Sequence, residues 1–494
     1  MSRKHGGLAL AVVLLATACA INPVSRRPEF VVMSREKEAL LGEREAARVA
    51  QEMGILPDEG IAAYVARVGA RVAQHSRRTD VAYRFLVVDS EIVNAFALPG
   101  GYIYVTRGLL ARLNREAELA NVLGHEIGHV AARHAVQRVT AATPLAIAAG
   151  IPAAAVGLVL PGLGRSIGAL GQLANALTLA PYSRAHELEA DRLGQEMAAA
   201  AGWDPLGLAD FLHTLTREEQ LSGAEAGPSF LRTHPLTEDR VARGRDTATR
   251  LERSAELPIA ATRAAFLEKL DGLLVGRSAA EGVFRDNAFL HPDLDLRMRF
   301  PEGWTTLNGR DFVAAQAPGG TARVVLQIAA EADDALAVAR NFAQAEGAAF
   351  GLLPKAIQLG SREAVRAYGR SGDATLDVSW IAHGAYVFQI TGICQSREYD
   401  AFQTPFIDVA LSLRTLSADE RAEILEDRLR IVRAEAGETL PQLIERGAAR
   451  WSAEQVAVAN AIGLEARLEA GQLVKLPIAQ RYAKSEPAET SALR

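Results

Sequence analysis

The chain has 494 residues, of which 49% are hydrophobic and 23% charged, with a formal net charge of −5. That length implies two or three domains, and the composition is that of ordinary globular proteins. With no basic excess, nucleic acid is excluded as a partner.

Arg3 and Lys4 precede an apolar run, Leu8 to Ala16, and then Thr17-Ala18-Cys19. A charged start, a short apolar segment and small residues before a cut read as a signal peptide over residues 1–19. The run is too short for a membrane span. Cysteine directly after small residues resembles the lipobox of bacterial lipoproteins, although Ala16 stands where leucine is usual. The resemblance implies lipid attachment at Cys19; simple secretion is the alternative. Ala20 after the cysteine resembles the Gram-negative sorting pattern for the outer membrane, so the expected address is the periplasm, anchored to that membrane. With Cys19 so used, Cys394 has no disulfide partner. Its apolar surroundings make it a small core residue.

Glu36 to Met53 and Glu59 to His75 alternate apolar and charged residues at helical spacing, with Pro57-Asp58 as punctuation. Tyr83 to Val88 reads as a strand. Val93 to Leu98, Pro99-Gly100-Gly101 and Tyr102 to Thr106 read as a hairpin. A short helix, Arg107 to Leu113, follows, and Asn114 is expected to cap the next one.

That next helix carries Leu119 to His134, LANVLGHEIGHVAARH. Residues four apart share a helix face, so His125 and His129 turn toward one point with Glu126 beside them. This H-E-x-x-H is the ligand pair and general base of a zinc peptidase. Leu119, Val122, Leu123, Ile127 and Val130 form an apolar stripe around the histidines, so the polar groups are buried and need partners. A catalytic zinc takes a third protein ligand. The next suitable stretch is Ser183-Arg184-Ala185-His186-Glu187-Leu188-Glu189-Ala190-Asp191. Glu187 and Asp191 share a face there, as ligand and as hydrogen-bond acceptor for a ligand histidine. Glu189 is expected on another face, in solvent, with His134 and His186 as surface or supporting groups.

NAFALPGGYIYVTRGLL at 94–110, ELANVLGHEIGHVAARH at 118–134 and SRAHELEAD at 183–191 together resemble the HtpX/BepA family of zinc metallopeptidases, which includes the CAAX prenyl proteases. The resemblance covers roughly residues 36 to 250. It implies one Zn2+ per subunit on His125, His129 and Glu187, with Glu126 as catalytic base and Asp191 behind the ligands. It also implies a catalytic-site role for His234 of Thr233-His234-Pro235-Leu236, as oxyanion stabiliser or as a plug of the open position. Residues Asn94, Ala95, Phe96 and Ala97 then line the substrate, pairing with an extended peptide; without the resemblance they read as a structural hairpin.

Between the zinc helices, 141–180 is apolar and broken by Pro144, Pro152 and Pro161. It is expected to form a buried helical pair, with a flap near the cleft as the alternative. Ala260 to Leu274 reads as a helix. Strands at Leu294 to Phe300, Ala322 to Ala329, Leu376 to Ile381 and Ala385 to Cys394 surround a helix, Leu336 to Glu346. At the end, Leu429 to Val432, the helix start at Thr439, Asn460 and Leu473 to Pro477 resemble a LysM module, which binds N-acetylglucosamine chains of peptidoglycan; Glu438 stands where aspartate is usual. A small packing module is the alternative. The helical repeats of better-known periplasmic family members are not seen.

The expected fold class is therefore α+β. A mainly helical H-E-x-x-H zincin protease domain with a small β-hairpin and edge strand spans 20–280. An α+β domain of unassigned role follows at 283–416, a βααβ LysM-like module at 428–480 and a disordered tail at 481–494. The expected function is a zinc metalloendopeptidase of envelope protein quality control. Its partners would be misfolded or unassembled polypeptides, the outer membrane through the lipid, and peptidoglycan. The alternative is an assembly factor or chaperone with a largely shut zinc site.

Overall fold

The computed structural model describes residues 19–26, 28–30, 33–138, 140, 181–222, 230–235 and 238–484. The expected signal segment before Cys19, the apolar stretch 141–180 and the part of the expected tail beyond 484 lie outside the described residues; of that tail, Arg481 ends the last strand and the Tyr482 N–H donates to Ile424 O. The chain divides into two compact units, 1–276 with 427–479 and 277–426 with 480–494.

In the first unit, β1 (Cys19–Ile21) and β2 (Pro28–Phe30) pair antiparallel. Helices α1 (Arg35–Met53) and α2 (Glu59–Ala73) begin where side-chain oxygens meet free backbone N–H groups. Ser34 accepts from Lys37 and Asp58 from Ile61. Strands β3 (Arg84–Val88), β4 (Ala95–Leu98) and β5 (Tyr102–Thr106) form a sheet in the order β3-β5-β4. The expected hairpin is β4 with β5, antiparallel, with Gly100 in its turn at a φ of 79° that glycine adopts freely. Strand β3 joins β5 in parallel, which leaves β4 as an edge strand.

Helix α3 (Arg107–Leu110) leads to the motif helix α4 (Glu116–Ala131). Asn114 does not cap it. The N-cap is Arg115, without a side-chain bond, and the backbone N–H of Asn114 instead donates to Glu118 Oε2 at 2.8 Å. Glu116 anchors the first turn: it accepts from Tyr64 Oη, from Trp203 Nε1 at 2.7 Å and from the Ala260 N–H at 2.6 Å. Apart from Ala117, every residue of α4 is buried. The apolar stripe is therefore one face of a helix sunk in the core.

Helix α5 (Arg184–Ala200), capped by Ser183, crosses α4 at glycines. A Cβ on Gly194 would lie 2.6 Å from His125 N, one on Gly124 2.7 Å from Gly194 O, and one on Gly128 3.1 Å from Ala190 O. Backbone meets backbone here, which is what lets residues of the two helices reach a common point. Helices α6 (Gly207–Ser222), α7 (Phe230–Thr233), α8 (Glu238–Arg250) and α9 (Arg263–Leu270) follow. The helix expected over Ala260 to Leu274 is shorter, because Gly272 at φ 85° turns the chain into β6 (Leu274–Val275).

The second unit is α+β. Strands β7 (Val283–Arg285), β8 (Ala288–His291) and β9 (Leu296–Arg299) form a small sheet. Strands β10 (Thr305–Asn308), β11 (Phe312–Gln316), β12 (Ala322–Glu331), β13 (Lys355–Leu359), β14 (Arg362–Ser371), β15 (Ala374–His383) and β16 (Tyr386–Gln395) form an antiparallel sheet in the order β10-β11-β12-β16-β15-β14-β13. Its helices are α10 (Ala335–Gln344), α11 (Tyr399–Leu411) and α12 (Ala418–Ala422). Cys394 is a free, buried residue of this core.

The chain then returns to the first unit through β17 (Leu425–Arg433), α13 (Leu440–Gly447), α14 (Ala453–Ala459) and β18 (Leu473–Arg481), a βααβ order. This segment does not stand apart. Strand β17 lies between β18 and β6, and Leu429 and Leu473 belong to the core that holds α4. Lys475 is fully buried and donates from Nζ to Ala111 O (3.0 Å) and Leu113 O (2.6 Å), just before the motif helix. Burial pushes its ammonium well below its ordinary pKa and pushes the neighbouring Glu118 carboxyl up to about 7.

The glycine crossing gives the first prediction. Gly194→Ala forces α4 and α5 apart and costs about 1–3 kcal/mol, read as a lower urea midpoint. Gly244→Ala, where the new Cβ meets its first neighbour at 3.8 Å, keeps the wild-type midpoint or raises it.

Candidate metal centre

Four side chains from α4, α5 and the end of α7 converge in the buried centre of the first unit. His125 Nε2 lies 3.0 Å from His129 Nε2 and 3.1 Å from His234 Nδ1. Glu187 Oε1 lies 3.4 Å from His129 Nε2 and 3.1 Å from His234 Nδ1, and Glu187 Oε2 lies 3.7 Å from His125 Nε2. All four residues are buried. A tetrahedral ion with bonds of about 2.0–2.1 Å spaces its ligand atoms roughly 3.3–3.4 Å apart. The cluster therefore has the donors and the spacing for one metal ion, with His234 at the fourth corner. His125 and His129 come one turn apart on α4 by the i, i+4 rule. Glu187 comes from the first turn of α5, and His234 from the residue after α7.

Glu126 is completely buried, and neither carboxylate oxygen has a hydrogen-bond partner among the described residues. His234 Nε2 stands 3.5 Å from its Oε1. Burial pushes this carboxyl above its ordinary range, against the pull of His234 and His125. A buried carboxylate without a hydrogen bond is costly.

Asp191 Oδ1 lies 2.8 Å from His125 Nδ1, as its spacing from Glu187 implies. The side chain that ties the centre together was not foreseen. Arg240, fully buried on α8, holds Asp191 with two bonds of 2.7 Å, reaches Glu187 Oε2 at 2.8 Å and donates to the carbonyl oxygens of His234 (3.0 Å) and Pro235 (3.2 Å). Burial opposes both carboxylates, yet Arg240 and His125 hold Asp191, and His234, His129 and His125 hold Glu187, below the ordinary carboxylate range. In sequence Arg240 is one arginine in a charged helix; its only signal is its place six residues after His234. Tyr182 was also missed. Its ring stacks on His129 with centroids 3.9 Å apart at 24°.

The expectation for Glu189 is corrected. It is not left to solvent: its Oε2 lies 3.2 Å from His134 Nε2, and its side chain is 32% exposed. Of the two readings of His134, surface or supporting group, its burial beside His129 agrees with the second. The region 94–97 is also inside. Asn94 Oδ1 accepts from Thr233 Oγ1 at 3.4 Å, and Phe96 stacks on Tyr104. Both side chains thus serve the fold. The backbone differs. Thr106 N–H donates to Asn94 O, which makes 94 and 106 a bonded pair and turns the N–H and C=O groups of Ala95 and Ala97 away from β5, toward the side of β4 that pairs with no strand among the described residues.

Residues 61–248 match the sequence profile of Peptidase family M48. This segment is an M48 peptidase domain. Its relatives include the beta-barrel assembly-enhancing protease of Escherichia coli (strain K12), 26% identical over 44% of this chain and 45% of that protein. The mitochondrial metalloendopeptidase OMA1 of Arabidopsis thaliana is 36% identical over 33% of this chain and 31% of its own length. The OMA1 metalloendopeptidase of Bos taurus is 32% identical over 46% and 45%. The chain thus spans less than half of each of these relatives.

Arg240→Met leaves the carboxylates of Asp191 and Glu187 buried without their cation and costs about 3–5 kcal/mol. Urea unfolding of the metal-free protein measures it. Arg240→Lys, which keeps the charge but not the paired bonds, falls between.

Proposed function

We propose that the chain is a zinc metalloendopeptidase, with His125, His129 and Glu187 as protein ligands and Glu126 as general base. The convergence of the four ligand atoms beside the unpartnered Glu126 carboxylate is the observation that carries this reading. Bound there, zinc supplies a Lewis acid that polarises a peptide carbonyl and lowers the pKa of water. Glu126 takes the proton of the attacking water and delivers it to the leaving amine. The edge groups of Ala95 and Ala97 pair with an extended substrate. Of the two expected roles for His234, the position of its Nδ1 at the fourth corner supports the plug, which must swing out for substrate to enter.

Among the described residues no helix is long and apolar enough to cross a membrane. We take the lipobox-like Cys19 as a lipid anchor holding the enzyme to the outer membrane in the periplasm, and misfolded or unassembled envelope proteins as its substrates. The beta-barrel assembly-enhancing and OMA1 relatives support a role in protein quality control. The plugged corner also supports the second reading, an assembly factor with a mostly shut site and a C-terminal module that meets peptidoglycan.

Glu126→Gln lowers casein turnover by roughly 10²–10⁴-fold while zinc content, read by metal analysis, stays at one per chain. Unchanged turnover sinks the peptidase reading. Under the plug reading, His234→Ala turns casein over faster than wild type; a rate no higher than wild type removes that role. Cys19→Ser shifts the protein from the membrane to the soluble fraction if the anchor is real.

A further inference from the structure

The motif helix is followed by an unusual turn. Ala132 ends α4, Arg133 has a left-handed backbone at φ 60°, and His134 comes next. A non-glycine residue there is strained and persists only where its neighbours hold it. Arg133 Nε donates to Glu38 Oε2 (3.2 Å) and Nη2 to Met33 O (2.9 Å), while Arg78 grips the same Glu38 at 2.7 and 3.1 Å. The turn folds His134 back beneath the ligands. Its Nδ1 lies 2.9 Å from His129 Nδ1, and its Nε2 faces Glu189. The start of α5 pins both rings. Tyr182 stacks on His129, and His186 stacks on His134 with centroids 4.2 Å apart at 17°.

The proton positions follow from this geometry. His129 aims Nε2 into the ligand cluster, where it must offer a lone pair, so the neutral ring carries its proton on Nδ1. The facing Nδ1 of His134 must then be bare, and the His134 proton sits on Nε2, toward Glu189. We propose that His134 is a positioning residue for the metal centre. His129 Nδ1–H donates to His134, and His134 Nε2–H donates to Glu189. One ligand histidine is thus oriented directly by a carboxylate, Asp191, and the other by a carboxylate one imidazole further out. The inference rests on the metal-binding reading above.

The test is Zn2+ affinity by chelator competition, with the visible spectrum of the Co2+-substituted protein. His134→Phe keeps a ring against His186 but offers no acceptor. It weakens Zn2+ binding by roughly 10–100-fold and shifts the Co2+ bands. His134→Asn, whose side-chain oxygen accepts from His129, recovers affinity to within about tenfold of wild type. His134→Phe with wild-type affinity and an unchanged Co2+ spectrum overturns the relay. Should that variant not fold, Glu189→Leu decides instead: weaker binding supports the relay, and unchanged binding overturns it. Wild-type protein that binds no Zn2+ overturns the metal-binding reading itself and the relay with it, a result distinct from failure of the relay alone.

Discussion

Three imidazole nitrogens and a carboxylate, all buried, face one another across 3.0 to 3.7 Å. Lone pairs aimed together in a dry interior repel unless a cation or shared protons lie among them. Much of the first unit serves this one convergence. Glycines at the α4–α5 crossing bring the donors close enough. Glu116 and its three donors fix where α4 begins. Arg240 offsets the negative charge of Asp191 and Glu187 and grips the backbone beside His234.

Helix α5 delivers Glu187, Asp191 and Glu189 to the histidines of the motif segment, all within its opening turns. Ser183 caps it. Glu187 and Asp191, four apart, turn the same way toward the donors, while His186 and Glu189 lie on the neighbouring face against His134. A single acidic helix thus supports two separate histidine ligands from two of its faces. That is why one amphipathic segment of ordinary composition carries so much of the site.

The local parts of this site were legible in the sequence. The i, i+4 pairs His125/His129 and Glu187/Asp191 follow from helix geometry, and so does the apolar stripe around them. The parts that failed are those set by tertiary partners. A period of two identifies β3, β4 and β5 but not that β3 lies parallel to β5. Asn114 has the chemistry of a cap, yet the nearby Glu118 carboxylate takes its backbone N–H instead. Glu189 looked solvated because its partner, His134, is 55 residues away in sequence and arrives through a left-handed turn at Arg133. Lys475 left no local signal and Arg240 only its place six residues after His234, since a buried basic group is recognised by the acceptors that fold around it. The βααβ order at the C-terminus was readable, whereas its return to the first unit depends on β6, two residues long, and on Lys475.

Lys475 also orders events in time. The carbonyls it caps, Ala111 and Leu113, sit at the threshold of the motif helix. In a chain made from its N-terminus both motif histidines appear long before this lysine. The setting of the helix is finished only when the last strand of the unit has arrived. A centre seated this way is completed only when residues some 350 positions further along the chain are in place.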